Sequence, residues 1–268
     1  MKRISAASFV VEPGDLWQRR IARRFFDRAP RMASHAGEDA FVFPGESQRT
    51  VPSRSVRWRD DRLTTADGWT RAMLLAEASV EAEVIFPSYA WSLLALRDEA
   101  FRAACFRAYN NWMFDFCIAS SKRFHSAILI PGAESGCAEI ERGAKRRAKA
   151  AIIGVDDDDR AAVDSVLRCA AAQKMAVVLA KRGGATPVDD LAAFSRQSAA
   201  LVGRYAASGT RFVLLGGSPS APTAGVLPVM TNSSVAGAAW AILGDSANLK
   251  NAGPSAFARD NAAAFYGL

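Results

Sequence analysis

Short apolar runs alternate with longer helical segments along most of this 268-residue chain, and this alternation restricts the fold more than any other feature. Apolar strands separated by helices are typical of βαβ units built around a buried parallel sheet. The sequence predicts strands at 4–11, 83–87, 126–131, 150–155, 175–180 and 211–215, with two weaker ones at 226–230 and 238–243. Between them it predicts helices at 93–117, 136–147, 158–174 and 187–207.

Eight strands in this order predict an α/β fold, a (β/α)8 TIM-like barrel in which the sheet closes on itself. The last third of the chain is too short for two complete helices, so we expect the barrel to be abbreviated toward the C-terminus. Five to seven strands would instead fit an open doubly wound sheet. We expect a single domain over 1–268, with an elaborated loop after strand 1 and an irregular insertion at 15–80, whose turn-rich part is 36–71.

The net charge of +7 is concentrated near the front, in an arginine-rich stretch. Trp17, Ile21, Phe25 and Phe26 interrupt these arginines at helical spacing, which indicates an amphipathic segment packed on a core with its arginines solvated or paired. No nucleic-acid-binding module accompanies the charge, so we expect no nucleic-acid partner. The arginines are Arg19, Arg20, Arg23, Arg24, Arg28 and Arg31.

No apolar stretch approaches the ~20 residues that cross a bilayer, and the early acidic residues Glu12 and Asp15 argue against a signal peptide. We therefore expect no membrane partner and a cytoplasmic location. The four cysteines form no CxxC pair, which favours buried free thiols over zinc binding or redox chemistry. They are Cys105, Cys117, Cys137 and Cys169.

The chain contains two histidines, His35 and His125. A hydrolytic zinc site needs several imidazole or carboxylate ligands that converge on one ion, and these two positions cannot supply them. His35 lies in the irregular segment, and His125 just precedes a strand, at the barrel end opposite the usual active site. We expect each to be a surface or satisfied structural histidine. The acidic run 156–159 is expected to cap the following helix rather than bind a metal.

Several segments nevertheless resemble one family of metal-dependent barrels, the amidohydrolase-related family that includes aminocarboxymuconate semialdehyde decarboxylase and related benzoate decarboxylases. The opening VVEPGDLW at 10–17, followed by RAPR at 28–31, is similar to the family's D-x-H-x-x-E-P-x-D-x-W and R-x-P. The other similar segments are VIFP at 84–87 with RAYNNW at 107–112, RF at 123–124 with ILIP at 128–131, and the terminal NAAAFYGL at 261–268.

The resemblance also implies where the family's metal ligands would stand, and the chain departs from the family there. Aligned on Glu12, the two ligands of the first strand fall on Ala7 and Phe9, and the histidine of the fifth strand falls near Ala180. None of these side chains coordinates a cation. Asp245 stands near the family's G-S-D and is the one carboxylate that the alignment retains. We therefore expect a degenerate member of the family, with no metal and no cofactor.

The loops at the carboxyl ends of the strands are where barrels of this kind place their chemistry. Lys181 and Arg182 stand near a lost ligand position and precede two glycines, so they suit a carboxylate or phosphate without a metal, although an exposed loop is an equally simple explanation. Glu12 is either a general base or an acceptor for local arginines. The predicted catalytic residues are Lys181, Glu12 and Asp245, and the predicted substrate-binding residues are Arg182, Phe9, Ser88, Tyr89 and Ser218.

Three hypotheses for function follow. The chain is a metal-independent lyase, isomerase or hydrolase acting on a small organic acid, or an inactive homologue that binds a ligand or a partner subunit. The third hypothesis keeps metal chemistry through unconventional ligands, namely Asp245, Glu12 and Asp156. We favour the first. The resemblance also implies a homodimer.

Overall fold

The computed structural model describes residues 3–35, 37–44, 50–52, 67–77, 80–120, 122–156, 160–187, 190–205, 208, 210–215, 226–231, 241–242, 263 and 265–268. Its strands are β1 (Arg3–Val10), β2 (Arg31–His35), β3 (Glu38–Val42), β4 (Thr50–Pro52), β5 (Val80–Pro87), β6 (Phe124–Ile130), β7 (Ala150–Val155), β8 (Ala176–Lys181), β9 (Phe212–Leu215), β10 (Val226–Thr231) and β11 (Ala241–Ile242). Its α-helices are α1 (Leu16–Arg20), α2 (Gly68–Glu77), α3 (Glu99–Ile118), α4 (Ala133–Lys145), α5 (Arg160–Ala172) and α6 (Leu191–Tyr205).

The main sheet has eight strands in the order β1-β5-β6-β7-β8-β9-β10-β11. Pairing is parallel from β1 through β10, and β11 pairs antiparallel with β10. Both β10 and β11 lie against β1, so the sheet curves until its two edges meet. This is the predicted TIM-like barrel, shortened at its C-terminal part, and the prediction of fold class is confirmed.

The strands are buried on both faces, which explains their nearly continuous apolar sequences. Along β7, Ala150 and Ile152 pack in the cluster that fills the barrel. The alternate residues Ala151 and Ile153 pack outward against the helices α4, α5 and α6. The period of two along each strand thus separates an inner core from an outer one.

Strands β5 and β6 separate at their carboxyl halves, and a side chain from α3 fills the opening. Their register stops at Ile85 and Ser126. Beyond it, Asn110 Nδ2 donates to the Leu129 carbonyl at 2.8 Å, and Asn110 Oδ1 accepts from the Leu129 N–H at 2.9 Å. Asn110 Nδ2 also donates to the buried carboxylate of Glu139. One amide side chain thereby replaces a rung of the sheet, because buried backbone groups need partners.

The segment after β1 contains more regular structure than the predicted irregular insertion. A separate antiparallel sheet forms in the order β2-β3-β4, and α2 packs against β5 and α3. The predicted helix at 93–117 is also two elements, a 3₁₀ helix at Tyr89–Ala95 and then α3. Asp98 separates them, because its side chain accepts a hydrogen bond from the Phe101 N–H and caps α3.

Arginines of the arginine-rich stretch form ion pairs with acidic side chains, which is one of the two outcomes predicted for them. Arg20 binds Asp115 at 2.6 Å, and Arg28 binds Asp98 at 2.8 Å while its guanidinium lies over the Phe101 ring. Among the residues that the model describes, no helix is long and apolar enough to cross a membrane.

The prediction of four free thiols is wrong for one pair. Cys137 of α4 and Cys169 of α5 form a disulfide with their Cα atoms 5.5 Å apart, whereas Cys105 and Cys117 are free and buried. The helices α4 and α5 pack side by side. This contact brings together two cysteines that are 32 residues apart in the sequence.

Candidate functional site

The carboxyl ends of β1 and β5 are joined by a buried carboxylate. Glu12 follows β1 and is 2% exposed. Its Oε2 accepts from the Tyr89 N–H at 2.9 Å, and its Oε1 accepts from the N–H groups of Ala90 at 2.9 Å and Ser88 at 3.1 Å. The partners of Glu12 are therefore backbone amides of the 3₁₀ helix, not the local arginines considered from the sequence.

Two opposing effects act on the proton affinity of this carboxylate. Burial raises the pKa of Glu12 to about 7, although the hydrogen bonds from Ala90, Tyr89 and Ser88 act to lower it. Desolvation penalises the charged form, whereas donors aimed at the oxygens stabilise that form. A pKa near neutrality is suitable for proton exchange, but the oxygens of Glu12 are already occupied by backbone donors.

The 3₁₀ helix that Glu12 holds carries several buried polar atoms without hydrogen-bond partners. Within the described part of the chain, these are Ser88 Oγ, Trp91 Nε1 and Ser92 Oγ. Tyr89 turns away from them, because its ring stacks on Phe41 of β3 with centroids 5.1 Å apart. Buried polar groups are normally paired, so an unpaired set beside the barrel marks a place where a ligand or water can bind.

A row of aromatic rings runs through the mouth of the barrel. Phe9 of β1 lies beside Phe86 of β5 with centroids 6.2 Å apart, and Phe86 stacks on Trp91 at 6.5 Å. Trp91 meets Phe194 of α6 edge to face at 5.3 Å. All four side chains are nearly inaccessible to solvent. Phe9 is thus part of the core that fills the barrel.

Arg182, just after β8, is a second cation at this end of the barrel, next to Lys181. Its side chain is 13% exposed, and its Nε lies 3.0 Å from Asp156 Oδ2. That contact is an ion pair without hydrogen-bond alignment, since Nε and Nη1 are both buried without a hydrogen-bond partner among the described residues. Burial lowers the pKa of Arg102 of α3, and the nearby positive charge of Arg182 lowers it further.

Lys181 is exposed and lines a small cavity together with Trp91, Phe194 and the loop at 183–186. The cavity measures about 10 Å³, close to the room that one water needs. Gly183 has a φ of +66°, a backbone conformation that suits glycine at this turn. Lys181, Arg182, Ser88 and Trp91 therefore surround the same end of the barrel.

Two of the predicted site residues, Ser218 and Asp245, lie outside the described residues. Of the acidic run at 156–159, Asp156 is described and pairs with Arg182. The model brings Glu12, Ser88, Phe9 and Arg182 to the carboxyl ends of the strands, and it turns Tyr89 toward the insertion.

Sequence reasoning missed a buried ion pair beside β1. Arg71 of α2 and Glu83 of β5 are each 1% exposed. Arg71 Nε donates to Glu83 Oε1 at 2.6 Å, and Nη2 donates to Oε2 at 2.9 Å. Ser8 also donates to Glu83. The available signal was the single charge at Glu83 beside an otherwise apolar strand, since a charge placed there needs a partner.

The residues present do not fit the metal centre of the resembling family. Phe9, Ala7 and Ala180 are buried core residues without donor atoms in their side chains. Glu12 is saturated by backbone amides, and Asp156 pairs with Arg182. Within the described residues there is no cluster of three or more His, Cys, Asp or Glu that could hold a metal ion.

Comparison with known proteins gives matches among solved structures. An amidohydrolase from Mycobacterium avium subsp. paratuberculosis K-10 has a TM-score of 0.57 and 14% identity, and the match covers 79% of this chain and 72% of that one. A 5-carboxyvanillate decarboxylase from Novosphingobium aromaticivorans DSM 12444, solved with manganese and 3-methoxy-4-hydroxy-5-nitrobenzoic acid, has a TM-score of 0.52 and 13% identity. A 2,6-dihydroxybenzoate decarboxylase from Rhizobium has a TM-score of 0.50 and 14% identity.

The matches to the two decarboxylases cover 80% and 81% of this chain and 65% and 66% of theirs, so the chain spans about two thirds of their length. No protein-family model matches the sequence, and no curated protein matches it significantly. The neighbours are amidohydrolase-family enzymes, which confirms the predicted resemblance at the level of the fold.

Proposed function

We propose that this amidohydrolase-like barrel binds a small organic acid at the carboxyl ends of its strands, without a metal ion. The supporting observation is Arg182, whose buried Nε and Nη1 lack hydrogen-bond partners among the described residues. A guanidinium donates in a fixed planar fork that matches a carboxylate. The decarboxylases of similar fold are named for aromatic acids, so aromatic acids are the first ligands to test.

In the enzymatic form of the proposal, the chain is a lyase, isomerase or hydrolase. Arg182 anchors the acid with help from Ser88 and Ser218, while Lys181 and Asp245 exchange protons with it. Glu12, whose oxygens accept from the N–H groups of Ser88, Tyr89 and Ala90, holds the backbone that carries Ser88 in place.

A second candidate is a catalytically inactive homologue that binds a ligand or a partner subunit. The aromatic row from Phe9 to Phe194 favours it, because Phe9 stands where the resemblance implies a metal ligand and its ring packs with the others of the row. A ligand that binds the folded state raises the melting temperature whether or not it reacts. A rise in melting temperature without product would identify this second function.

The binding test is calorimetry with 2,6-dihydroxybenzoate and 5-carboxyvanillate, in the presence of a chelator. Arg182→Ala removes a charge-assisted pair of hydrogen bonds and is expected to weaken binding by about tenfold or more. Lys181→Ala is expected to weaken it less, since Lys181 is exposed. Arg97→Ala removes an exposed arginine in the loop between the 3₁₀ helix and α3 and serves as the matched control.

Three results would count against the proposal. Equal affinities for the wild type, Arg182→Ala and Arg97→Ala would remove Arg182 from the site. Binding abolished by the chelator and restored by manganese would show that a metal is required. No binding of either acid by the wild type would overturn the ligand class.

We further propose that residues 1–268 form one domain and that the protein is a homodimer. Trp69 and Met73 of α2 and Ile118 of α3 are 69%, 62% and 63% exposed, and burying such side chains against a second copy is favourable. Light scattering of the wild type and of Trp69→Ala tests the dimer. The cytoplasmic location remains a prediction, and the Cys137–Cys169 disulfide weighs against it because such bonds are rare in reducing compartments.

A further inference from the structure

A second cavity lies at the opposite end of the barrel, where the strands begin. It measures about 210 Å³, room for many waters rather than one. Its walls come from the starts of β1 and β5, from the turns that precede β6 and β7, and from the terminal segment that contains Leu268. The site at the carboxyl ends of the strands contributes no residue to this wall.

The cavity is positively charged. Its lining side chains include the cations Lys122, Arg147 and Lys149, against one carboxylate, Glu81. Lys149 donates to the Gly267 carbonyl at 2.8 Å, a neutral partner. Burial and the nearby charges of Arg147 and Arg211 lower the pKa of Lys149. Among the described residues, neither Lys122 nor Arg147 has an ion-pair partner, and the described side chains that line the cavity carry more positive than negative charge.

His125 also lines this wall. It is 4% exposed, and its Nδ1 is buried without a hydrogen-bond partner among the described residues. This differs from the surface or satisfied histidine expected from the sequence. Burial and the charge of Lys149 lower the pKa of His125 to about 4, so the ring is neutral near pH 7. The neutral ring therefore adds no positive charge to the cations of the cavity.

The backbone at Arg147 adds an independent observation. Its φ is +64°, and its N–H and that of Ala148 close the turn after α4. Glycine adopts this left-handed conformation without strain and is the usual residue at such a helix end. Lys174 in the turn after α5 is also a cation with a left-handed backbone, so glycine can replace either residue and remove its charge without straining the turn.

We propose that this cavity binds a phosphate group carried by a small molecule, held by Lys122, Arg147 and Lys149. A phosphate presents three acceptor oxygens and close to two negative charges, which matches three cations. A carboxylate has one charge and two oxygens and leaves a cation unpaired. The volume exceeds that of a bare phosphate, which favours a phosphate monoester over the inorganic ion.

The test compares two variants that make the same kind of substitution, one in the cavity wall and one away from it. Arg147→Gly and Lys174→Gly each remove one positive charge and each relieve a left-handed residue, since Lys174 has a φ of +53° in the turn after α5. Lys174 does not line the cavity. Neither substitution disturbs folding, because glycine suits both backbones. Calorimetry at constant ionic strength measures the affinity for inorganic phosphate, glycerol 3-phosphate and acetate.

We expect Arg147→Gly to weaken phosphate binding by about tenfold or more, while Lys174→Gly leaves it unchanged. Tighter binding of glycerol 3-phosphate than of inorganic phosphate identifies a phosphorylated small molecule as the ligand, and equal binding identifies the phosphate group alone. The proposal is overturned if the wild type does not bind phosphate, if acetate binds as well as phosphate, or if both glycine variants lose the same affinity.

Discussion

Glu12 shows how one residue can be placed correctly by its sequence context and yet be misjudged in its contacts. Its position after an apolar strand predicted the carboxyl end of the barrel, which is where it lies. Its partners are the N–H groups of residues 88–90, and these face it because the 3₁₀ helix begins there. No sequence pattern predicts that a carboxylate will accept hydrogen bonds from the backbone of a turn remote in sequence.

The stability of the protein is expected to depend on the protonation of Glu12. Its folded pKa of about 7 lies above the ordinary 4.5, so the folded state binds more protons than the unfolded state between these values. The stabilisation is fully present below pH 4.5 and is lost as the pH rises through 7. Denaturant unfolding should show a loss of about 1 kcal/mol from pH 6.5 to 8.

The control is Glu12→Gln, which has no titrating group and should be less stable than the wild type at both pH values. Over this range the depressed pKa of His125, about 4, acts in the opposite direction, because the unfolded imidazole still binds protons near pH 6.5. Glu12→Gln retains that contribution, so the expected loss of about 1 kcal/mol is the change in the difference in stability between the wild type and Glu12→Gln. If Glu12→Gln loses stability with pH as steeply as the wild type, the assignment of the raised pKa to Glu12 is wrong.

Among the elements, the buried strands were predicted to within a few residues, because parallel strands covered on both faces are continuous apolar runs. The 3₁₀ helix and α3 were merged, since both are apolar on the buried side and the break depends on one cap at Asp98. The small sheet β2-β3-β4 was missed because its strands have three to five residues, too few for a clear alternation.

The contact between α4 and α5 supports a prediction about stability. The Cys137–Cys169 disulfide closes a loop with a sequence separation of 32. Its removal increases the entropy of the unfolded chain, and a loop of this length corresponds to about 3–4 kcal/mol in the chain-entropy model. The double variant Cys137→Ser, Cys169→Ser should lose stability of that order in urea unfolding.

Thiol counting provides the control for the disulfide. The unreduced wild type, once denatured, should titrate as two free thiols, which are Cys105 and Cys117. Reduced wild type should then match the stability of the double variant. Four free thiols in protein purified without reductant would show that the bond does not form, and the expected difference in stability would disappear.

At the scale of the whole molecule, the barrel was predictable and its site was predictable only in part. Topology places Arg182 and Ser88 at the same end whatever their contacts, because the loops after parallel strands meet there. The cationic cavity at the other end was not predicted, since Lys122 lies in the turn before β6 while Arg147 and Lys149 lie in the turn before β7, and the two turns share no motif. These three side chains come close together only in the folded barrel, where the sheet is curved.

The two ends of the chain meet in the closed barrel, and this contact supports the last prediction. Tyr266 is 1% exposed, and its hydroxyl donates to the Ala6 carbonyl of β1 at 2.8 Å. Tyr266→Phe leaves that carbonyl unpaired and should cost about 1–3 kcal/mol, whereas Tyr266→Ala also leaves a cavity and should cost about 3–5 kcal/mol.

Hydrogen exchange locates the effect, and its pattern follows from the topology. If the terminal segment holds β1 in place, the amides of β1 and its neighbour β5 should lose protection in Tyr266→Phe while those of β7 and β8 keep theirs, because local opening involves the contacts that were weakened. Equal loss across all strands would show that the barrel opens as one unit. The segment 265–268 would then contribute to the core in general and would not act as a closure of its first strand.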